Sequence, residues 1–162
     1  TVEAVLTQFP VEVKSIQRRS NYRVAIPEES DLRVRVWRLG PGVPVRDRPM
    51  AKQEVKAKLR DISLGGVGVV LEGEGDEPPK ISEEDRLRIS LKSGEHELIL
   101  EGRMRYPNKL NGTTFRAGIQ FKSLDKDLDG RQTLATLTRI VGELTRAELR
   151  RMRIGMTAPN AA

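Results

Sequence analysis

The segment Gln17-Arg18-Arg19-Ser20-Asn21-Tyr22-Arg23 brings three guanidinium groups, a phenol and short polar side chains into seven positions, and Val24 follows at once. A guanidinium is always charged, presents a planar fork of donors and stacks on aromatic faces. It therefore suits phosphates and purine rings better than an ammonium does. Some forty residues later comes Asp61-Ile62-Ser63-Leu64-Gly65-Gly66, at the end of an alternating apolar pattern. Here a carboxylate supplies a directional acceptor and a hydroxyl can bond a phosphate or hold its own loop. Gly66, without Cβ, permits backbone close to a ligand or a positive φ, with Gly65 and Gly68 able to share that task. Asp61-x-Ser63 is also what an ordinary strand-ending turn looks like, with both side chains bonding local backbone. What distinguishes it is the arginine run that precedes it.

The charge distribution supports that pairing. Lys14 to Arg60 contains 13 Lys and Arg against 5 Asp and Glu, whereas Asp61 to Ala162 contains 16 of each, within a chain of formal charge +6. A positive field confined to the first third attracts a phosphate-bearing partner.

The elements that must position these groups follow from periodicity. Leu32, Val34 and Val36 alternate with Arg33, Arg35 and Trp37, which predicts a half-buried strand. Gly40 to Pro49 breaks it with prolines and predicts a long loop. Strand patterns recur at 52–60, 66–71, 86–91, 97–106 and 115–121, those at 86–91 and 97–106 joined through Ser93-Gly94 as a hairpin. Glu72 to Glu84, rich in Glu, Gly and Pro, reads as an exposed loop. Six strands at this spacing predict a small closed barrel or sandwich. The period then lengthens to that of a helix at Leu134, Leu137, Val141 and Leu144, with Ile140, Leu149 and Met152 widening and extending the stripe. Asp127 or Asp129 is placed to cap it, and it is expected to end near Gly155. At 162 residues with 4% aromatics, one domain is expected, with a core of Val, Leu and Ile.

Arg19-x-x-x-Arg23 followed by Asp61-x-Ser63-x-x-Gly66 resembles the two-part signature of the PilZ family, whose members bind the second messenger cyclic di-GMP. The resemblance runs from about Gln17 to Lys122, and Gly118-Ile119-Gln120-Phe121 is similar to the family's closing strand. It implies a mainly β fold, a six-stranded antiparallel β-barrel over 17–124; the long C-terminal helix over 125–156 and the Gly40–Pro49 loop depart from the family's pattern. Residues 1–16 would be a linker or the tail of a preceding domain, and 157–162 a disordered tail. The run around Arg18 is similar to the C-terminal domain of flagellar-brake-type members. Thr1 in place of Met fits a piece of a longer chain. The ligand would be cyclic di-GMP, held by Arg18, Arg19, Arg23, Asp61, Ser63, Gly65 and Gly66. Asp61 would accept from the guanine N1–H and N2–H. Arg18, as a third guanidinium, implies an intercalated ligand dimer. Without ligand, repulsion among the arginines would favour an open segment from Lys14 to Arg23.

A basic barrel binding single-stranded nucleic acid is the alternative, with Tyr22 and Trp37 as stacking platforms; a ligand-independent adapter is another. An enzyme is not expected: His96 stands alone in a charged stretch, Glu83-Glu84-Asp85 reads as a solvated loop, and the chain has no Cys. No apolar run reaches the roughly 18 residues of a membrane span, so a cytoplasmic setting is expected; the resemblance implies a bacterial one. Partners in flagellar motility or in biofilm and exopolysaccharide control are implied. The C-terminal helix is longer than one barrel face requires: it either packs on its own barrel and frays at its end, or pairs with a second copy as a homo-oligomer.

Overall fold

The computed structural model describes residues 21–157. Seven strands and one long helix follow in order: β1 (Val24–Ala25), β2 (Arg33–Arg38), β3 (Glu54–Ser63), β4 (Gly66–Glu72), β5 (Arg86–Ser93), β6 (His96–Lys109), β7 (Thr114–Phe121) and α1 (Leu128–Thr157), with a 3₁₀ turn at Ala51–Gln53 ahead of β3. The pairing order is β1-β3-β2-β5-β6-β7-β4, and β3 also pairs with β4. That last pairing closes β2 to β7 into a six-stranded antiparallel barrel, as expected, with β1 an added short strand on β3. Closure removes the exposed sheet edges that an open sheet of this length would present.

Alternation in the strands becomes an inside and an outside. Val34, Val36, Ile62, Val67, Val69, Leu71, Leu87, Ile89, Leu91, Leu100, Met104 and Ile119 fill the interior. Each such side chain contributes about 1.5–3 kcal/mol on burial. Leu137, Ile140 and Val141 of α1 join the same core, so the helix packs along the barrel through its first half. Asp127 caps it, its Oδ1 accepting from the Gly130 amide at 2.7 Å. The helix runs two residues beyond the expected Gly155. Its apolar stripe continues past the barrel, where Leu149 and Ile154 are 50% and 70% exposed.

Two expectations change. The loop after β2 is pinned to β5: Arg86 donates to the Val43 carbonyl at 2.7 Å, and Arg88 donates to the carbonyls of Val45 and Asp47. Trp37, expected on the surface, is only 4% exposed. Arg35 and Arg88 lie 4.7 and 5.6 Å from its ring centroid, cation–π contacts that alternation alone does not reveal. The Glu83–Asp85 run is likewise engaged: Asp85 pairs with Arg38 at 3.2 Å, and Glu84, at φ 69°, pairs with Arg105. The segments 1–16 and 158–162 lie outside the described residues.

Candidate functional site

The site begins with a fault in a strand. In β3 the buried apolar positions are Val55 and Leu59, then Ile62, and the ladder to β4 slips between Leu59 and Asp61. The extra residue, Arg60, is a β-bulge, and it changes the phase of the alternation. Without it Asp61 would follow Leu59 onto the interior face; with it Asp61 lies outside, opposite Gly68 of β4. The choice of glycine there is steric. A Cβ on Gly68 would stand 2.6 Å from both Asp61 carboxylate oxygens, so only glycine leaves the carboxylate room to lie across the sheet.

Arg23, one residue before β1, donates from Nη1 to Asp61 Oδ1 at 3.0 Å, and Arg60 Nη2 stands 3.8 Å from Oδ2. The register of β1 fixes this meeting, because Val24 faces Ile62 and Ala25 faces Asp61. Arg23 and Asp61 are both partly shielded, with side-chain exposures of 32% and 19%. The two halves of the sequence signature therefore touch. The charge of Arg23 is held by Asp61; the rest of the segment expected to be open, up to residue 20, lies outside the described residues.

Ser63, Leu64, Gly65 and Gly66 form the turn between β3 and β4. Ser63 is buried, accepts the Gly65 amide at 3.2 Å and donates to the Gly66 carbonyl at 3.3 Å. Its hydroxyl is occupied in holding the turn. Neither Gly65 nor Gly66 has a positive φ. Gly66 is required because a Cβ would approach the Ile119 carbonyl oxygen of β7 to 2.3 Å, and a Cβ on Gly65 would meet the Asn21 side-chain amide at 2.8 Å. The space these two glycines leave is taken by the Ile119 carbonyl and by Asn21, and the positive φ that was the other expectation is not found. Arg18 and Arg19 lie outside the described residues.

Tyr22 was a candidate stacking ring, and it is exposed; its hydroxyl donates to Glu148 of α1 at 3.0 Å. That hydrogen bond to a carboxylate raises the phenol above its ordinary pKa. Nearby, Arg151 pairs with Glu29 at 3.0 Å, so the far half of α1 is tied to the chain on both sides of Arg23. No sequence pattern marks these two contacts, since they join residues more than 120 positions apart.

A cavity of about 950 Å³ lies elsewhere, lined by the end of β2, the start of β3 and the loop after β4, including Arg38, Lys52, Lys56, Glu74 and Pro79. Strand direction puts it at the end of the barrel opposite the Ser63–Gly66 turn, so it does not contain the motif residues. Among the described residues no group of three His, Asp or Glu side chains is placed to hold a metal ion.

The fold and this arrangement can be compared with known proteins. The solved PilZ domain with c-di-GMP of YcgR from Escherichia coli superposes with a TM-score of 0.59 at 21% identity, covering 85% of this chain and 98% of that one. The K. pneumonia MrkH–c-di-GMP complex gives 0.53 at 18% identity, covering 82% of this chain and 56% of that one. No curated protein sequence matches. A family model described as the PilZ domain matches residues 17–139, taking in both motifs, the whole barrel and the first turns of α1; the chain belongs to the PilZ domain family.

Proposed function

We propose that this chain is a cyclic di-GMP receptor domain, binding the dinucleotide with Arg18, Arg19, Arg23, Asp61, Ser63, Gly65 and Gly66. The observation that carries the reading is the 3.0 Å contact of Arg23 with Asp61 beside the Ser63–Gly66 turn, because it gathers the two motif halves on one face of a PilZ barrel. Both solved neighbours named above are complexes with c-di-GMP.

The chemistry follows from the groups. An ionised carboxylate has about four lone-pair sites, of which Arg23 takes one, leaving Asp61 able to accept from the guanine N1–H and N2–H. Arginine forks can meet guanine O6 and N7 together, worth about 1–3 kcal/mol of discrimination. Arg18 supplies the third guanidinium for a second ligand molecule, so two dinucleotides bind as an intercalated pair. Ser63, Gly65 and Gly66 act by fixing the turn on which the ligand rests. The domain is a receptor and not an enzyme: binding draws the arginine segment over the barrel, and the altered surface signals to a protein partner in motility or exopolysaccharide control in the bacterial cytoplasm. The stripe of Leu149, Met152 and Ile154 is the surface through which copies of the chain would associate.

The nucleic-acid reading loses its main platform with the burial of Trp37. Isothermal titration of cyclic di-GMP, with a single-stranded oligonucleotide as competitor, tests the choice. Saturable heat at micromolar or lower dinucleotide, undisturbed by the oligonucleotide, is the expected result; displacement by the oligonucleotide would reverse it.

A further inference from the structure

The strand registers place one more cation on the face that carries Asp61. Across the barrel wall, Asp61 of β3 faces Gly68 of β4, which faces Gly118 of β7. The row below runs from Lys58 through Val70 to Arg116 in the same order. Ala117 and Ile119 are buried, so Arg116 and Gly118 lie on the outer face with Asp61. At a strand spacing of about 4.8 Å and a rise of about 3.4 Å per residue, the Arg116 and Asp61 backbones are about 12 Å apart. Gly68 and Gly118 put no side chain in between.

Arg116 is exposed and has no carboxylate partner among the described residues. Its neighbour Arg105, also on this face, is already held by Gln120 and Glu84. Lys58, at the near end of the Arg116 row, is exposed as well. Two cations therefore flank Val70, one row from the carboxylate, on the side away from the arginine segment. A ligand anchored on Asp61 that extends over Gly68 and Gly118 arrives at them.

We infer that Arg116, with Lys58 beside it, is a second anion pole of the ligand site and binds a phosphate of the half of the cyclic dinucleotide remote from Asp61. This rests on the receptor reading above. Gly118 keeps the path clear for the ligand rather than for the fold: the nearest atom to a Cβ there is the Arg105 carbonyl oxygen at 3.8 Å, ordinary contact. A valine at 118 suits a strand and leaves the barrel intact while standing in the ligand's way.

Titration calorimetry of cyclic di-GMP into the full chain tests this with Arg116→Ala, Arg116→Lys, Gly118→Val and, as a control for general charge, Lys92→Ala on β5. Arg116→Ala is expected to weaken binding about tenfold and to lessen its salt dependence, because one screened phosphate contact is lost. Arg116→Lys keeps the charge and should stay within about threefold of the parent, and Lys92→Ala should match it. Gly118→Val should lose affinity at an unchanged melting temperature. Parent-like affinity in both Arg116→Ala and Gly118→Val, with the parent binding, overturns the assignment. A parent chain that does not bind overturns the receptor reading itself and the assignment with it.

Discussion

Arg23 and Asp61, 38 residues apart in sequence, are joined by a single hydrogen-bonded ion pair of 3.0 Å between the approach to β1 and the last residues of β3. Neither strand alone positions the pair. The short register of β1 brings Arg23 to the barrel, and the bulge at Arg60 turns Asp61 outward to receive it. Asp61→Ala should therefore separate recognition from stability. A partly exposed pair contributes about 1 kcal/mol or less to folding, whereas loss of the guanine acceptor costs about 10- to 100-fold in ligand affinity. Thermal melts and calorimetric titrations of the variant check this, and a large fall in melting temperature with affinity unchanged would refute it.

Gly66 and Gly68 lie two residues apart on one face of β4 yet should fail differently. In Gly66→Ala the added methyl meets the Ile119 backbone, and backbone cannot swing aside, so a loss of about 1–3 kcal/mol of stability is expected from overpacking. In Gly68→Ala it meets the Asp61 carboxylate, a side chain able to rotate. That variant should stay close to parent stability in urea and lose cyclic di-GMP affinity. Equal stability losses in the two would contradict the steric assignment.

Glu101 gives the fold a defined acid sensitivity. The Arg86 guanidinium, donating at 2.7 Å, holds its carboxyl below the usual glutamate range, and Lys122 at 3.4 Å adds to the effect. A depressed folded pKa contributes stability that is present above the unfolded value and disappears as pH falls through the folded one. Urea denaturation at neutral pH should find Glu101→Gln about 1 kcal/mol less stable than the parent. The gap should close at pH below the ordinary glutamate range. A gap independent of pH would show that the loss is packing rather than charge.

The Tyr22 hydroxyl reports the docking of α1. Its bond to Glu148 raises the phenol above the ordinary value of 10.0. In a Tyr106→Phe background, where Tyr22 is the remaining tyrosine, an absorbance titration should give a pKa above that value, and Glu148→Gln should bring it down. An identical titration with and without the Glu148 carboxylate would mean that the helix does not make this contact.

Much of the barrel was legible because alternation maps directly onto the two faces of a half-buried strand: Val34 and Val36, or Ala117, Ile119 and Phe121, read as core and are core. The same rule failed at Trp37, whose ring is approached by Arg35 and, from another strand, by Arg88, a tertiary effect with no local trace. It also could not foresee why Gly66 is glycine, since the reason is the carbonyl of Ile119 on β7. Asp61 was recognisable by type and spacing, but its outward direction depends on the bulge at Arg60. The tie between Tyr22 and Glu148 depends on where α1 comes to rest. Sequence named the candidate residues; register and packing determine what Arg23, Asp61, Ser63, Gly65 and Gly66 touch.

The central claim, that the two motif halves form one cyclic di-GMP site, is tested most directly by isothermal titration of the ligand into the parent chain, Arg19→Ala, Arg23→Ala and the double variant, with the mass of the complex recorded. The account predicts micromolar or tighter binding by the parent with two ligand molecules per chain, and no detectable binding by the double arginine variant. Unchanged binding in the double variant would contradict it.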